Sequence, residues 1–305
     1  MAANAAHPDL LVRTSEVPTL RPLSRLRELA AAREVLANLV RKEVRVRYKA
    51  SVLGAGWSML NPLLYLAVFT LVFQRFLGRG VPNFAVYLLS GLLAWQLFAG
   101  SLTAAARSVV DNASLVTKVY FPREILPLAA VGSTLVDFAL HGVVLLLFIL
   151  GTRHDVLGPG LALLPLSFAA LLVLATALSL WVAALNVRYR DTQHLLGLVL
   201  LVWFWLTPVV YPSGHLYRSL APHRLFGLPL FHVYLANPMA AVVAGFQRAL
   251  YGTVYDPTTG APLLFPVSVG WLAVLNASVL AGALVLLLLA WRTFFHLSGD
   301  FGEEL

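Results

Sequence analysis

Cysteine is absent from this sequence, which excludes a disulfide framework and any thiolate metal site. Charge is scarce: 12% of residues are Asp, Glu, Lys or Arg, roughly half the share of a soluble domain. Lysine is nearly missing, with Lys42, Lys49 and Lys118 as its whole complement. None of the three follows a glycine, so there is no GxxxxGK[ST] phosphate loop and no ATPase site in this chain. No HExxH motif or close histidine pair occurs. His215, His223 and His232 share one segment at irregular spacing and read as solvated loop histidines, not metal ligands. Clustered acids of the kind an intramembrane glycosyltransferase or phosphatase needs are also missing. No catalytic residue, metal or cofactor is assigned to this chain.

What is present is hydrocarbon. Of 305 residues, 59% are hydrophobic, too many for a globule to cover in water, so the bilayer is the expected solvent. Six runs, roughly 59–77, 84–106, 126–151, 161–187, 195–211 and 267–291, approach the ~20 residues that cross a membrane. Each is expected to be helical, because lipid offers no partner to an open backbone. The net charge of +8 would point to nucleic acid in a soluble protein; here its placement matters more, and no nucleic-acid partner is expected. Ten basic residues precede the first run, and Arg107, Lys118, Arg123, Arg188, Arg190 and Arg292 fall on the same side, 16 of the 22. The positive-inside rule then puts both termini in the cytoplasm.

Residues 1–24 are polar, lack a signal-peptide core and read as a disordered cytoplasmic tail. Over 25–49, Leu26, Leu29, Leu36, Leu39, Val40 and Val44 recur at helical spacing. Arg33, Arg41, Lys42, Arg45 and Arg47 are free to reach lipid phosphates. This is an amphipathic interface helix, for which a plain surface anchor is an equal reading. In the outer segment 212–266, Asn237-Pro238 forms an N-cap followed by proline, starting a helix that extends toward Gly252. That helix is apolar enough to re-enter the membrane.

Three features inside the apolar frame carry polar or aromatic chemistry. Asp137 and His141 lie one turn apart within a span, as a proton relay or a packed polar contact. Without carboxylates in other spans, the contact is favoured. Tyr65, Phe69, Phe73 and Phe76 follow one face of the first span, and Phe84, Tyr87, Trp95 and Phe98 nearly do so on the second. Such stripes either pack the bundle and face lipid, or offer flat surfaces on which sugar rings slide. Between the second and third runs stands NASLVTKVYFPREI (112–125). Asp111 or Asn112 is placed to cap a helix of about two turns that Pro122 ends. Leu115, Val116, Val119 and Tyr120 fall on one side of it, as on a knob standing clear of the bundle.

The motifs RVRYKASVLGAGWSMLNPL (45–63), NASLVTKVYFPREILPLAAVGSTLVDF (112–138), LNVRYRDTQHLL (185–196), TPVVYP (207–212), ANPMAAVVAGFQRALYG and FFHLSGDFGEEL occur in order. Together they resemble the type-2 membrane component of ABC transporters, in the branch that exports O-antigen, teichoic acid and related lipid-linked polysaccharides. The resemblance implies an all-α polytopic membrane protein of six transmembrane helices. An interface helix precedes them, a short cytoplasmic coupling helix interrupts them, and re-entrant or outer helices precede the last span. Residues 25–305 would form one transmembrane domain in the cytoplasmic (inner) membrane. It further implies a homodimer, two copies of a separate ATPase subunit that binds ATP and Mg, and a lipid-linked polysaccharide as cargo. Leu115, Val116, Val119, Tyr120, Phe121, Pro122, Arg123 and Glu124 would receive the ATPase motion, and the aromatic stripes would line the substrate channel. In NVRYRD, Arg188 and Arg190 alone satisfy positive-inside anchoring, and Asp191 could add a salt bridge that holds the inner ends of spans together. A type-2 permease for a drug or lipid is the alternative.

Overall fold

The computed structural model describes residues 22–49, 51, 54, 56–76, 81–119, 121–225 and 227–305. The expected disordered tail, 1–24, lies outside these residues apart from its last three, and so does Tyr120. Helices α1 (Pro22–Ala31) and α2 (Arg33–Tyr48) break at Ala32, so the expected single interface helix is two pieces. Then come α3 (Gly56–Phe69), continued by a π-helical stretch Thr70–Phe76, and α4 (Phe84–Ser108). A short α5 (Ala113–Lys118) leads to α6 (Ile125–Thr152), α7 (Leu163–Arg188) and α8 (Thr192–Leu206). The outer region holds α9 (Ser213–Leu220), a two-residue hairpin, α10 (Leu230–Tyr234) and α11 (Pro238–Leu250). Helix α12 (Val269–Ser298) and a terminal turn, α13 (Phe301–Glu304), complete the chain.

Among the described residues, five helices are long and apolar enough to cross a membrane: Gly56–Phe73, Phe84–Ser108, Ile125–Thr152, Pro159–Arg188 and Val269–Ser298. Helix α8 has the composition but only 15 residues. At 1.5 Å per residue it spans about 22 Å of a ~30 Å hydrocarbon core. The expected run 195–211 is shortened because Pro208 has no N–H for a helical ladder and Thr207 turns extended, at φ −108° and ψ 134°.

Local chemistry sets the other ends. Asn237 caps α11 as its sequence requires, its Oδ1 accepting from Met239 N at 3.1 Å, and Ser268 caps α12 through Trp271 N at 3.1 Å. Gly252, at φ 77°, follows α11 in the left-handed region that glycine tolerates best.

Helix α4 is the central element, with 78% of its apolar window buried against α6, α7 and α11. Gly91, Ala94, Ala105 and Ala106 are among the small residues that let those neighbours approach. Helix α11 is not laid on a lipid face: Met239 to Phe246 are all buried, between α4, α7 and α12. Asn276 of α12 donates to Ala241 O across that contact at 3.2 Å. Helices α3 and α8 are the reverse case. Val68 of α3 and Leu195 and Trp205 of α8 are at least half exposed, an apolar surface facing away from the bundle.

The turn before α7 abuts the end of α11. A Cβ on Gly160 would stand 2.5 Å from Arg248 O, a backbone atom that cannot swing aside. Gly160→Ala is therefore expected to lower stability by about 1–3 kcal/mol, the usual cost of overpacking. A drop in the thermal midpoint of the purified protein, with insertion unchanged, is the readout.

Candidate functional site: a membrane cavity and the basic end of the bundle

Arg47, Arg107, Arg123 and Arg188 lie at one end of the bundle, where α2, α4, α6 and α7 start or finish. Asp137 of α6 is tied to this end. Its Oδ1 accepts from Tyr48 Oη at 2.8 Å and Ser58 Oγ at 2.9 Å, and its Oδ2 is ion-paired with Arg47. His141 Nε2 lies 2.9 Å from Ser58 O. The last turn of α2, the start of α3 and the middle of α6 are thus clamped by one carboxylate. Burial, the largest cause, pushes the Tyr48 hydroxyl above its ordinary range, with Ser58 offsetting part of the rise, so Tyr48 stays a donor. Of the two readings of Asp137 and His141, the packed polar contact is the one for which the structure supplies partners.

A second set of contacts surrounds the NASLVTKVYFPREI segment. Asn112 stands at the N-cap position but does not cap: its Nδ2 donates back to Ser108 O at 2.8 Å. Its Oδ1 instead accepts from Lys42 Nζ at 2.7 Å, joining α2 to this segment. Helix α5 has 6 residues, shorter than the two turns expected, and stops at Lys118 because Val119 is extended at φ −126° and ψ 134°. Pro122 comes too late to end it. Val116 is buried, Leu115 half-buried and Val119 51% exposed.

Phe121, Pro122 and Arg123 are half-buried. Burial draws the Arg123 guanidinium below its usual range, with the Glu124 charge opposing, and Arg123 hydrogen-bonds Ser298 O. Glu124 departs most from a knob standing clear. It is 2% exposed, its Oε1 accepting from Trp291 Nε1 at 3.3 Å and lying 3.5 Å from Arg25 Nε. A charge on the residue just before a helix reads as surface in sequence; only the fold brings α12 and α1 over it. On α2, Arg41 and Arg45 are exposed, with Arg41 bonded to Asn38 Oδ1 at 3.0 Å. In NVRYRD, Asp191 is exposed and makes no ion pair among the described residues. Asn186 Oδ1, accepting from Gln193 N at 3.2 Å, ties α7 to α8 there instead.

A cavity of about 890 Å³ opens on the face of α4, walled by α3, α6 and α8. The Arg47–Asp137 clamp, Ser58 and His141 form one end of it. Of the expected channel residues, Tyr65 and Trp95 line it; Phe69, Phe73, Phe84, Tyr87 and Phe98 do not. Phe84, Tyr87 and Phe98 are buried in the core. Rings at 5–7 Å connect them nevertheless, from Tyr65 through Phe69, Phe73 and Phe84 to Tyr87, and from Phe69 through Phe204 to Trp95 and Phe98. The side chain of Phe76 lies outside the described ones. Sequence reasoning weighed only ionisable and aromatic residues and so passed over Gln96 and Asn61, which also line the cavity. An amide inside an apolar run was the available signal. A separate apolar groove of about 640 Å³ runs beside α8, lined by Leu198, Val202, Leu206, Val233 and Pro238 among others.

An apolar helical bundle with a central buried helix, a polar cavity and a basic end defines a multi-pass membrane protein of the transporter kind. Residues 34–251 match the family described as ABC-2 type transporter, and the chain belongs to that family. It is 34% identical over 233 residues to the O-antigen export system permease protein RfbA of Myxococcus xanthus, covering 74% of this chain and 84% of that protein. The protein of the same name from Klebsiella pneumoniae is 31% identical over 228 residues, 73% of this chain and 82% of its own. The polysialic acid transport protein KpsM of Escherichia coli is 22% identical over 195 residues, 63% of this chain and 75% of its own.

Glu124→Lys would place a second cation beside Arg25 in a closed site. It is expected to destabilise the protein by about 3 kcal/mol, the low end for a broken buried pair because the Arg25 side chain keeps 20% exposure. Glu124→Gln keeps the bond to Trp291 and should cost less. Thermal midpoints of the two variants measured side by side check the order.

Proposed function

We propose that this chain is the membrane permease subunit of an ABC exporter that moves a lipid-linked cell-envelope polysaccharide across the cytoplasmic membrane. One observation carries the reading: the likeness to two O-antigen export permeases along about three-quarters of the chain. A cavity with hydrogen-bonding groups and aromatic walls on the central helix supports it, since a glycan needs both. ATP and Mg would be bound by a separate ATPase subunit, two copies serving two copies of this chain. The outward apolar faces of α3 and α8 are where the second copy packs in this reading.

In this assembly α8, continued by residues 207–211, is a sixth crossing. Six crossings return both termini to the cytoplasmic side, in keeping with the basic residues at that end. Leu115, Val119, Phe121 and Pro122 form the surface that receives motion from the ATPase. Lys42–Asn112 passes it to α2, and the Asp137 clamp passes it from α2 to α3 and α6. Arg123 and Glu124 anchor this surface to α12 rather than touching the partner.

Export of a drug or lipid is the second reading, and the apolar groove beside α8 is the observation in its favour. Depleting the protein separates the two readings. A lipid-linked glycan is expected to accumulate on the inner leaflet; an unchanged glycan pool would overturn the first reading.

Val119→Asp tests the coupling surface. The residue is 51% exposed, so the fold should be unchanged within about 0.5 kcal/mol, while a charge opposes docking on an apolar patch. Surface glycan should fall several-fold, and less ATPase should co-purify. Normal export by a folded Val119→Asp protein removes this surface from the coupling path.

A further inference from the structure

Gln96 is the lone amide side chain of α4 and lies midway between the helix ends, Phe84 and Ser108. Although the Ser167 and Ser179 hydroxyls of α7 have no partner, several polar side chains of the spans bond a nearby carbonyl: Ser90 to Tyr87 O at 2.8 Å, Thr103 to Ala99 O at 2.8 Å, Asn276 to Leu272 O at 3.0 Å. Gln96 does not. Both its Nε2 and its Oε1 are buried without a hydrogen-bond partner, the only such pair among the described residues. In hydrocarbon that is a costly state unless something else supplies the bonds. The side chain lines the 890 Å³ cavity, on one α4 stripe with Gly100 and Thr103, at i, i+4 and i+7.

The surroundings select the ligand. Trp95 and Phe204, with ring centroids 5.4 Å apart, share the wall with Gln96. The charged groups of the cavity, Arg47 and Asp137, neutralise each other at its basic end. His141 beside them is already engaged with Ser58 O. A primary amide donates through Nε2 and accepts through Oε1, which matches two neighbouring hydroxyls of a sugar ring. A carboxylated sugar at the same depth would meet no free cation and leave its charge unpaired.

We propose that Gln96 is the hydrogen-bonding contact for an uncharged sugar ring at the middle of the membrane, beside a Trp95–Phe204 wall that covers the ring's apolar face. The proposal rests on the glycan-permease reading and narrows it to neutral sugar units at this point of the path.

The test uses the full-length protein with its ATPase partner in lipid nanodiscs. Its probes are a dextran oligomer and an oligogalacturonate of equal length, followed by saturation-transfer NMR. Transfer to dextran should exceed transfer to oligogalacturonate several-fold. Gln96→Leu should lose several-fold of the dextran signal with an equal or higher thermal midpoint, since it removes an unpaired amide. Gln96→Asn, which keeps the group on a shorter arm, should retain part. Full dextran transfer by Gln96→Leu, or a lower midpoint with transfer intact, makes Gln96 a packing residue and overturns the proposal. Equal transfer from both oligomers overturns the preference for neutral sugar. Should Gln96→Leu fail to fold, Gln96→Met decides: it keeps the length of the arm without the amide donor and acceptor, and undiminished dextran transfer refutes the contact. Surface glycan is measured separately in depleted cells. Its persistence would refute the permease reading, whatever the NMR result.

Discussion

In a chain with so few polar side chains, most of those placed among apolar helices find a partner inside the protein, and the architecture follows from how those partners are found. Asp137 draws on three donors from α2 and α3. Ser101 and Thr134 pair across α4 and α6 at 2.7 Å, and Gln247 of α11 donates to Pro208 O at 3.1 Å beside the end of α8. Apolar packing between helices has no solvent to escape in lipid, so it chooses poorly among registers. These bonds choose. Each one pins a particular turn of one helix to a particular turn of another.

The bonds divide the molecule unevenly. Helices α4, α6, α7 and α11 each pack against several others and α12 lies along α7 and α11, whereas α3 and α8 are held mainly along one edge. The cavity lies between that firm block and the two lightly held helices. If the cavity is the cargo path, as proposed, this division would give that path walls of unequal stiffness. The Asp137 clamp joins the basic end of α3 to the block, so movement of α2 has a short route to a cavity wall.

At the basic end, chain remote in sequence converges on one segment. Arg25, Trp291 and Ser298 meet residues 123–124, and Phe301 packs on Phe294 with centroids 5.5 Å apart. Anchoring Glu124 and Arg123 while leaving Val119 exposed makes a surface that is fixed at its base and apolar at its tip. A freely solvated loop would absorb a push; one braced against α12 would pass on the motion that the proposed coupling requires.

Much of the fold was legible in the residues themselves. Long apolar runs, helical spacing over 25–49 and the Asn237-Pro238 cap are local signals, and local physics decides helix existence and many helix ends. The ordered motifs carried the family. What the residues could not tell was which faces meet. The aromatic stripe of α4 looked like its partner on α3, yet Phe84, Tyr87 and Phe98 pack the core while Tyr65 and Trp95 line the cavity. Glu124 looked like surface and is buried; Asp191 could have paired and is exposed. Helix periodicity states that a face exists, and in a membrane both lipid and protein accept an apolar one. Only the tertiary structure, by setting α4 against α6, α7 and α11, settled which residues face protein and which face the cavity, and left Gln96 in its wall without a partner.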